Sequence, residues 1–391
     1  MEYDPYSYAI DEDPYPIYKW MRDEAPAYHN ERLDFWALTR FEDCHAAFLD
    51  WETYSSANGT VLELMGSDIG GELIIFMDPP RQTRLRNLVS KAFTPRRIAE
   101  LEPQIREIAV GYLDPLVGRT RCDIVKEFTA KLPMDVISTL LGIPASDRDM
   151  VRGWSNDIMH RDPDNPLISP RGRDAMQHLM EYFGAAIAER RRRPRDDMMT
   201  LLTQVEYRDE DGKTSGLRDE EIKAFFNLLA TAGNETVTKL LGTAFYWLAR
   251  CPDQRKLLVE NPDLAEGAVE EMLRFDPPSQ YQGRVLTRSV ELHGRKLPAG
   301  AKLLIINAAS GRDERAFPDP DRLDVRREID LQLNFGYGHH ICLGKSLARL
   351  ESRIAHQEFV KRFPEYDVAP DGIERMHSSN VRGFSGLVLE Y

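Results

Sequence analysis

Residues 334–344 read Asn334-Phe335-Gly336-Tyr337-Gly338-His339-His340-Ile341-Cys342-Leu343-Gly344, and the rest of the chain makes sense as a shell built around Cys342. Gly336 and Gly338 let the loop turn tightly and approach a flat ligand closely. Leu343, Leu347, Leu350 and Ile354 then recur at helical spacing, which predicts that Cys342 stands at a helix N-terminus. Free backbone N–H groups and the positive end of the helix dipole favour a thiolate there, the form of cysteine that ligates metal. Two duller readings compete. In one, Cys342 is a small buried hydrophobe; in the other, it joins His339 and His340 at zinc. Zinc takes four ligands in recognisable pairs, whereas Cys44, Cys122 and Cys251 stand isolated and no Cys-x-x-Cys occurs.

A second stretch runs from Asp219 to Arg250 without a proline and with few charges after Lys223. As a helix it would be on the order of 45 Å long and apolar on all sides, hence buried. Its middle reads Ala232-Gly233-Asn234-Glu235-Thr236. A carboxylate there is costly unless it is paired or has chemistry to do. The Thr236 hydroxyl can take the place of an i−4 backbone bond, loosening the helix and leaving room for a water. Glu235 beside it is placed to donate protons, as general acid catalysis requires. A third stretch, Glu270-Glu271-Met272-Leu273-Arg274, puts Glu271 and Arg274 on one helical face, a spacing that surface ion pairs also show.

Taken together and in this order, the three stretches resemble the motifs of the cytochrome P450 family. The haem-binding loop Phe-Gly-x-Gly-x-His-x-Cys-x-Gly is filled at Phe335, Gly336, Gly338, His340, Cys342 and Gly344. The oxygen-activating Ala/Gly-Gly-x-Asp/Glu-Thr is filled at residues 232–236, and the Glu-x-x-Arg clamp at Glu271 and Arg274. The resemblance spans the chain from Asp13-Pro14 to the final strand. It implies one domain over residues 1–391, mainly α with a small β-region, whose long central helix lies over haem b held by the Cys loop.

The resemblance assigns roles residue by residue. Cys342 would ligate iron, Gly233 would leave room for oxygen, and Glu235 with Thr236 would relay protons. Arg327, in preference to Arg326, would join Glu271 and Arg274. Haem propionates need cations or donors at the rim, and a guanidinium can bind both oxygens of a carboxylate. Arg86, Arg284 and His340 match those positions. The chain departs from the pattern at Gln82, where many bacterial relatives carry a His; Gln82 would donate without charge. Candidate substrate-pocket residues are Leu62, Met65 and Ile69 in a lid loop over 56–71, Phe226, Leu229 and Ala232 on the central helix, Gln280 and Tyr281 after the clamp, and Phe384.

The implied activity is a monooxygenase that places one oxygen atom of O2 into a lipophilic small molecule by hydroxylation or epoxidation. Electrons would come from a ferredoxin or flavodoxin with its reductase, since the chain holds neither flavin-binding nor iron–sulfur patterns. Lys91, Arg96, Arg97, Lys345 and Arg349 flank the segments expected on the thiolate side and form a candidate docking patch. Two alternatives share some of these features: a peroxide-driven haem-thiolate peroxygenase, which generally lacks the acid–alcohol pair, and a haem sensor, which would carry an output domain.

Composition bounds the rest. The 391 residues carry a net charge of −13, which disfavours nucleic acid as a partner. No apolar run approaches the roughly 20 residues a membrane span needs. The acidic start Met1-Glu2-Tyr3-Asp4 is neither a signal peptide nor a membrane anchor, and four scattered cysteines fit a reducing compartment. A cytoplasmic monomer is the expectation. Periodicity predicts a short helix after Asp13-Pro14, strands at 35–38, 285–287, 302–306 and 386–389, a helix over 41–49, and a helix after Met77-Asp78-Pro79-Pro80. Between Ile98 and Leu248 almost everything reads as helix, with polar breaks at 161–166 and 206–212.

Overall fold

The central helix spans Asp219–Arg250, as its uninterrupted apolar pattern predicts. Its start is fixed by Glu221, whose carboxylate accepts the N–H of Arg218 at 2.8 Å and pairs with Arg84 at 2.8 Å. That second contact ties the central helix to the helix Arg81–Val89, which follows Pro79-Pro80. Around the central helix pack helices Leu132–Leu141, Pro170–Arg192 and Lys345–Arg362. Phe245, fully buried, stacks on Phe359 at 4.1 Å between ring centroids and on Phe128 at 6.3 Å. Burying an aromatic side chain of this kind contributes about 1.5–3 kcal/mol, so this stack anchors the helix Lys345–Arg362 beneath the Cys loop.

The computed structural model describes residues 1–66, 72–159, 168–208 and 214–391. The chain is mainly helical with a minor β-part, as expected. One sheet has the strand order Ala27–Asn30, Phe35–Leu38, Lys302–Ile305, Gln282–Leu286 and Tyr54–Ser55. Only the pairing of Phe35–Leu38 with Lys302–Ile305 is parallel. A second sheet joins Asp367–Met376, Gly383–Glu390 and Arg121–Asp123. Two smaller apolar clusters flank the first sheet, one around Tyr3, Tyr18, Phe35 and Tyr281 and the other around Trp36, Phe48 and Leu303.

Several elements differ from expectation. The strand Arg121–Asp123 lies inside the stretch read as helical; it is short and polar in sequence, and only its pairing with residues 388–390 makes it a strand. The 206–212 break begins with a strand, Glu206–Arg208, that pairs antiparallel with Thr214–Gly216. The 161–166 break and residue Ile69 of the lid loop lie outside the described residues. The central helix continues as α-helix through Thr236, so the hydroxyl does not loosen it.

Candidate active site

Gly336 and Gly338 both take positive φ, 68° and 67°, and a Cβ at Gly338 would stand 2.7 Å from the Phe48 carbonyl oxygen. The loop therefore turns as the sequence implies, with Cys342 N–H donating to the Phe335 carbonyl at 2.8 Å. The α-helix begins at Lys345, three residues beyond the cysteine. Burial by the surrounding protein pushes the Cys342 thiol up, against the opposing pull of the Gly344 N–H and the charges of Arg86, Lys345 and Arg349. Burial thus opposes the helix-end stabilisation expected from sequence, and a bound metal ion would favour loss of the proton. Among the described residues no group of three or more His, Cys, Asp and Glu side chains is placed to hold a metal ion.

Around that thiol stand cationic and donor groups. Arg284 is buried, and its guanidinium donates to the Gly283 carbonyl at 2.7 Å; desolvation lowers its pKa to about 10, opposed only by Asp78. Arg86 has no hydrogen-bond or ion-pair partner among the described residues. His340 lowers to about 3, through burial first and then the charge of Arg284, and its Nε2 is buried without a partner. In a protein of net charge −13, such a collection is strained unless an anion completes it. The two carboxylates of haem would do so, and the residues present fit that group. Gln82 differs from these groups: its Nε2 donates one hydrogen to the His339 carbonyl at 2.7 Å and so braces the Cys loop.

Midway along the central helix, Ala232 is exposed and Leu229, Gly233 and Thr236 are half-buried, although much of the helix is buried. These residues share one face and define an opening. A Cβ at Gly233 would meet only Ile137 at 3.8 Å, an ordinary contact, so protein packing does not demand glycine. Thr236 Oγ1 donates to the Ala232 carbonyl at 3.0 Å, leaving its lone pairs free to accept. Glu235 is paired with Lys239 at 2.8 Å, a partner that sequence reading missed although i,i+4 spacing offered it.

The clamp is complete. Glu271 and Arg274 are fully buried and joined by two bonds of 2.7 and 2.8 Å, while Arg327 Nε reaches Glu271 at 3.1 Å. Arg326 contributes only its backbone N–H, to Asp324. Asn334 carries the constraint to the Cys loop by donating to the Leu273 carbonyl at 2.5 Å. Phe335 lies under the Arg349 guanidinium at 4.7 Å.

Most of the described pocket candidates pack within the apolar clusters. Leu62, Met65 and Tyr281 pack in the N-terminal apolar cluster, where the Tyr281 hydroxyl accepts the Leu62 N–H. Gln280 accepts from Tyr18 and donates to the Pro277 carbonyl. Phe226 packs on Phe183, and Phe384 on Tyr246. Apolar residues near a site satisfy core and pocket patterns alike; among the described candidates Leu229 and Ala232 lie on the accessible face of the central helix. The basic patch also shrinks: Arg349 is bound to Glu270, Arg96 to Glu100, and Lys91 to the Glu206 carbonyl, leaving Arg97 and Lys345.

Cys342, with the Arg86 and Arg284 guanidinium groups and the buried Nε2 of His340 gathered near it and a half-open face at Thr236 on the central helix, is the arrangement of a haem-thiolate protein. The chain is similar to known proteins along its whole length. The family described as Cytochrome P450 matches residues 165–382. A putative cytochrome P450 123 of Mycobacterium tuberculosis is 42% identical over 390 residues, 99% of this chain and 96% of that one. A vitamin D(3) 25-hydroxylase of Pseudonocardia autotrophica is 38% identical over 394 residues, covering 99% of this chain and 96% of that one. The solved structure of cytochrome P450 CYP109Q5 from Chondromyces apiculatus has a TM-score of 0.91 at 31% identity and covers 99% of this chain and 97% of that one. The chain belongs to the cytochrome P450 family. It is a haem-thiolate monooxygenase with haem b as its cofactor, acting on lipophilic small molecules. Enzymes of this family draw electrons from protein redox partners. Among the described residues no helix is long and apolar enough to cross a membrane.

Proposed function

We propose that this chain hydroxylates a bulky, rigid lipophile of the sterol or secosteroid class, with Cys342 as the iron ligand and Thr236 and Glu235 as the proton relay. The observation that carries the site assignment is the set of donors around Cys342 that lack acidic partners: Arg86, Arg284 and the orphaned Nε2 of His340. Arg284 and Arg86 would hold the propionates as ion pairs, and His340 would donate the proton on Nε2. Gln82 would act indirectly, by fixing the His339 carbonyl. Haem held through the Cys342 sulfur would supply the oxygen-activating chemistry, with the thiolate donating electron density to it.

The chain's own residues supply position, protons and dryness. Ala232 and Leu229 offer small and apolar surface at the opening, so a rigid hydrocarbon displaces water there. Thr236 Oγ1, with its hydrogen on the Ala232 carbonyl, accepts a bond from a water and holds it at the opening. Glu235 lies within reach of the same turn to replace the proton which that water gives up. The presence of this pair favours oxygen-driven turnover over a peroxide-driven one. The substrate class is supported by the vitamin D(3) 25-hydroxylase among its relatives. A ferredoxin or flavodoxin would dock near Arg97 and Lys345, with the enzyme acting as a monomer.

The test is a titration of sterols, secosteroids, macrolides and fatty acids against the haem-loaded protein, following the substrate-induced shift of the haem spectrum. Sterol-class ligands should give the tightest shifts, and Ala232→Phe should abolish them while leaving haem content unchanged. Tight shifts from fatty acids alone would overturn the substrate class.

A further inference from the structure

The Glu235 carboxylate meets Lys239 Nζ at 2.8 Å, and the same ammonium donates to the Phe384 carbonyl at 2.9 Å, on the strand Gly383–Glu390. Lys239 is only 5% exposed, and lysine is almost never buried unless paired. The neighbouring strand is shaped around its stem. Gly383 takes φ of +154°, and a Cβ there would lie 2.7 Å from Lys239 Cβ and 2.9 Å from its Cδ, so any side chain at 383 would displace the lysine. One turn on, the strand approaches again at Gly242, where a Cβ would meet Phe384 at 3.8 Å.

Helix geometry says what this contact does to Glu235. At 3.6 residues per turn, Glu235 and Lys239 lie roughly 100° and 60° round the helix from Thr236, on the flank of the opening and not within it. Two of the three ammonium donors are spent, one on the acid and one on a carbonyl of another element. The acid is therefore held by a group that is itself anchored outside the central helix.

We propose that Lys239 is the positioning residue for Glu235: it parks the carboxylate on the flank of the opening, and release of this contact governs how readily Glu235 passes a proton toward the Thr236 water. Glu235 regains that proton from solvent, so the acid is restored each cycle. The proposal rests on the reading of Glu235 as the relay acid. It explains why the strand packed here begins with a glycine at positive φ: the glycine makes room for the lysine stem.

The experiment uses haem-loaded Lys239→Met, Lys239→Arg, Glu235→Gln and Lys239→Met/Glu235→Gln with a surrogate redox chain. It records the solvent deuterium isotope effect on turnover, the share of reducing equivalents lost as peroxide, and the guanidinium unfolding midpoint. Lys239→Met should change the isotope effect and the peroxide share, the latter by a factor on the order of three, because it disturbs the acid that moves the proton. Lys239→Arg should restore both. The double variant should be no worse in turnover than Glu235→Gln, and the midpoint losses of the single variants should not add, as for a directly coupled pair. Where Lys239→Met is too unstable to purify, Lys239→Gln keeps a donor for the Phe384 carbonyl and removes the charge. A lowered midpoint with wild-type isotope effect and coupling would overturn the proposal, leaving the lysine as a tie between helix and sheet. Wild-type turnover in Glu235→Gln would overturn the relay reading beneath it.

Discussion

Arg274→Met should be among the most damaging single changes in the molecule, and the size of the loss can be worked out from its contacts. Arg274 is 0% exposed and binds Glu271 twice, the Gly311 carbonyl at 2.6 Å, the Pro320 carbonyl at 2.8 Å and the Arg322 carbonyl at 3.4 Å. Removing one partner of a buried pair costs about 3–5 kcal/mol. Arg327 and the Asp324 N–H still hold Glu271, which puts this part near the lower bound. Arg327 also keeps the Arg322 carbonyl, so the Gly311 and Pro320 oxygens are left stranded, at ~1–3 kcal/mol each. The sum is about 5–9 kcal/mol, against a total stability of about 5–15 kcal/mol. Because Asn334 hangs from Leu273 in the same helix, the Cys loop should loosen as well, and haem content should fall with stability. Guanidinium titration and the haem-to-protein ratio measure the two effects. Arg327→Met, at a side chain 13% exposed, should cost less. A loss below ~1 kcal/mol with full haem content would refute the reasoning, since that is the range of an exposed pair.

Three further outcomes are expected. Thr236→Ala should bind haem and substrate as wild type does yet divert reducing equivalents to peroxide; a fully coupled variant would leave the hydroxyl as a helix bond to Ala232 only. Lys345→Glu and Arg97→Glu should slow reduction by an acidic redox protein mainly at low salt, because exposed charges are screened beyond about 8 Å at physiological ionic strength; rates unaffected at every salt level would remove this face. Glu358, bonded to Arg106, Lys361 and Arg362, is drawn down to about 2 from 4.5 against the burial that would raise it, so its contribution is present above the ordinary carboxylate range and lost as pH falls through that window. Glu358→Gln should flatten the acid limb of the stability curve there, and an unchanged limb would mean that solvent screens the cluster.

How much of this was legible in the sequence depends on how local the cause was. The central helix, the helix Phe41–Leu49 and the strand Phe35–Leu38 follow from apolar periodicity within one element, and their observed ends agree with the reading. The strand Arg121–Asp123 escaped because its partner lies at the far end of the chain. At the site, glycines and the cysteine are recognisable because the loop needs those residue types. Pocket residues were not, because Tyr281 and Phe384 satisfy a core as well as they would a cavity, and only packing decides between the two. Lys239 was passed over for a related reason: a lysine one turn from an acid reads as a solvated pair until the strand beneath it is seen. Cys342 was read as a thiolate from its place near a helix end, whereas burial outweighs that effect without a metal.

The central claim is that Cys342 alone supplies the protein ligand to haem iron. Reduction of the haem-loaded protein under carbon monoxide reports this directly, because a thiolate opposite carbon monoxide moves the main haem band far to the red of its position with nitrogen or oxygen ligands. The account predicts the red-shifted band in the wild type and its loss in Cys342→Ser, whose alcohol is too weak a donor to replace the sulfur. A Cys342→Ser protein that keeps the red-shifted band would contradict it.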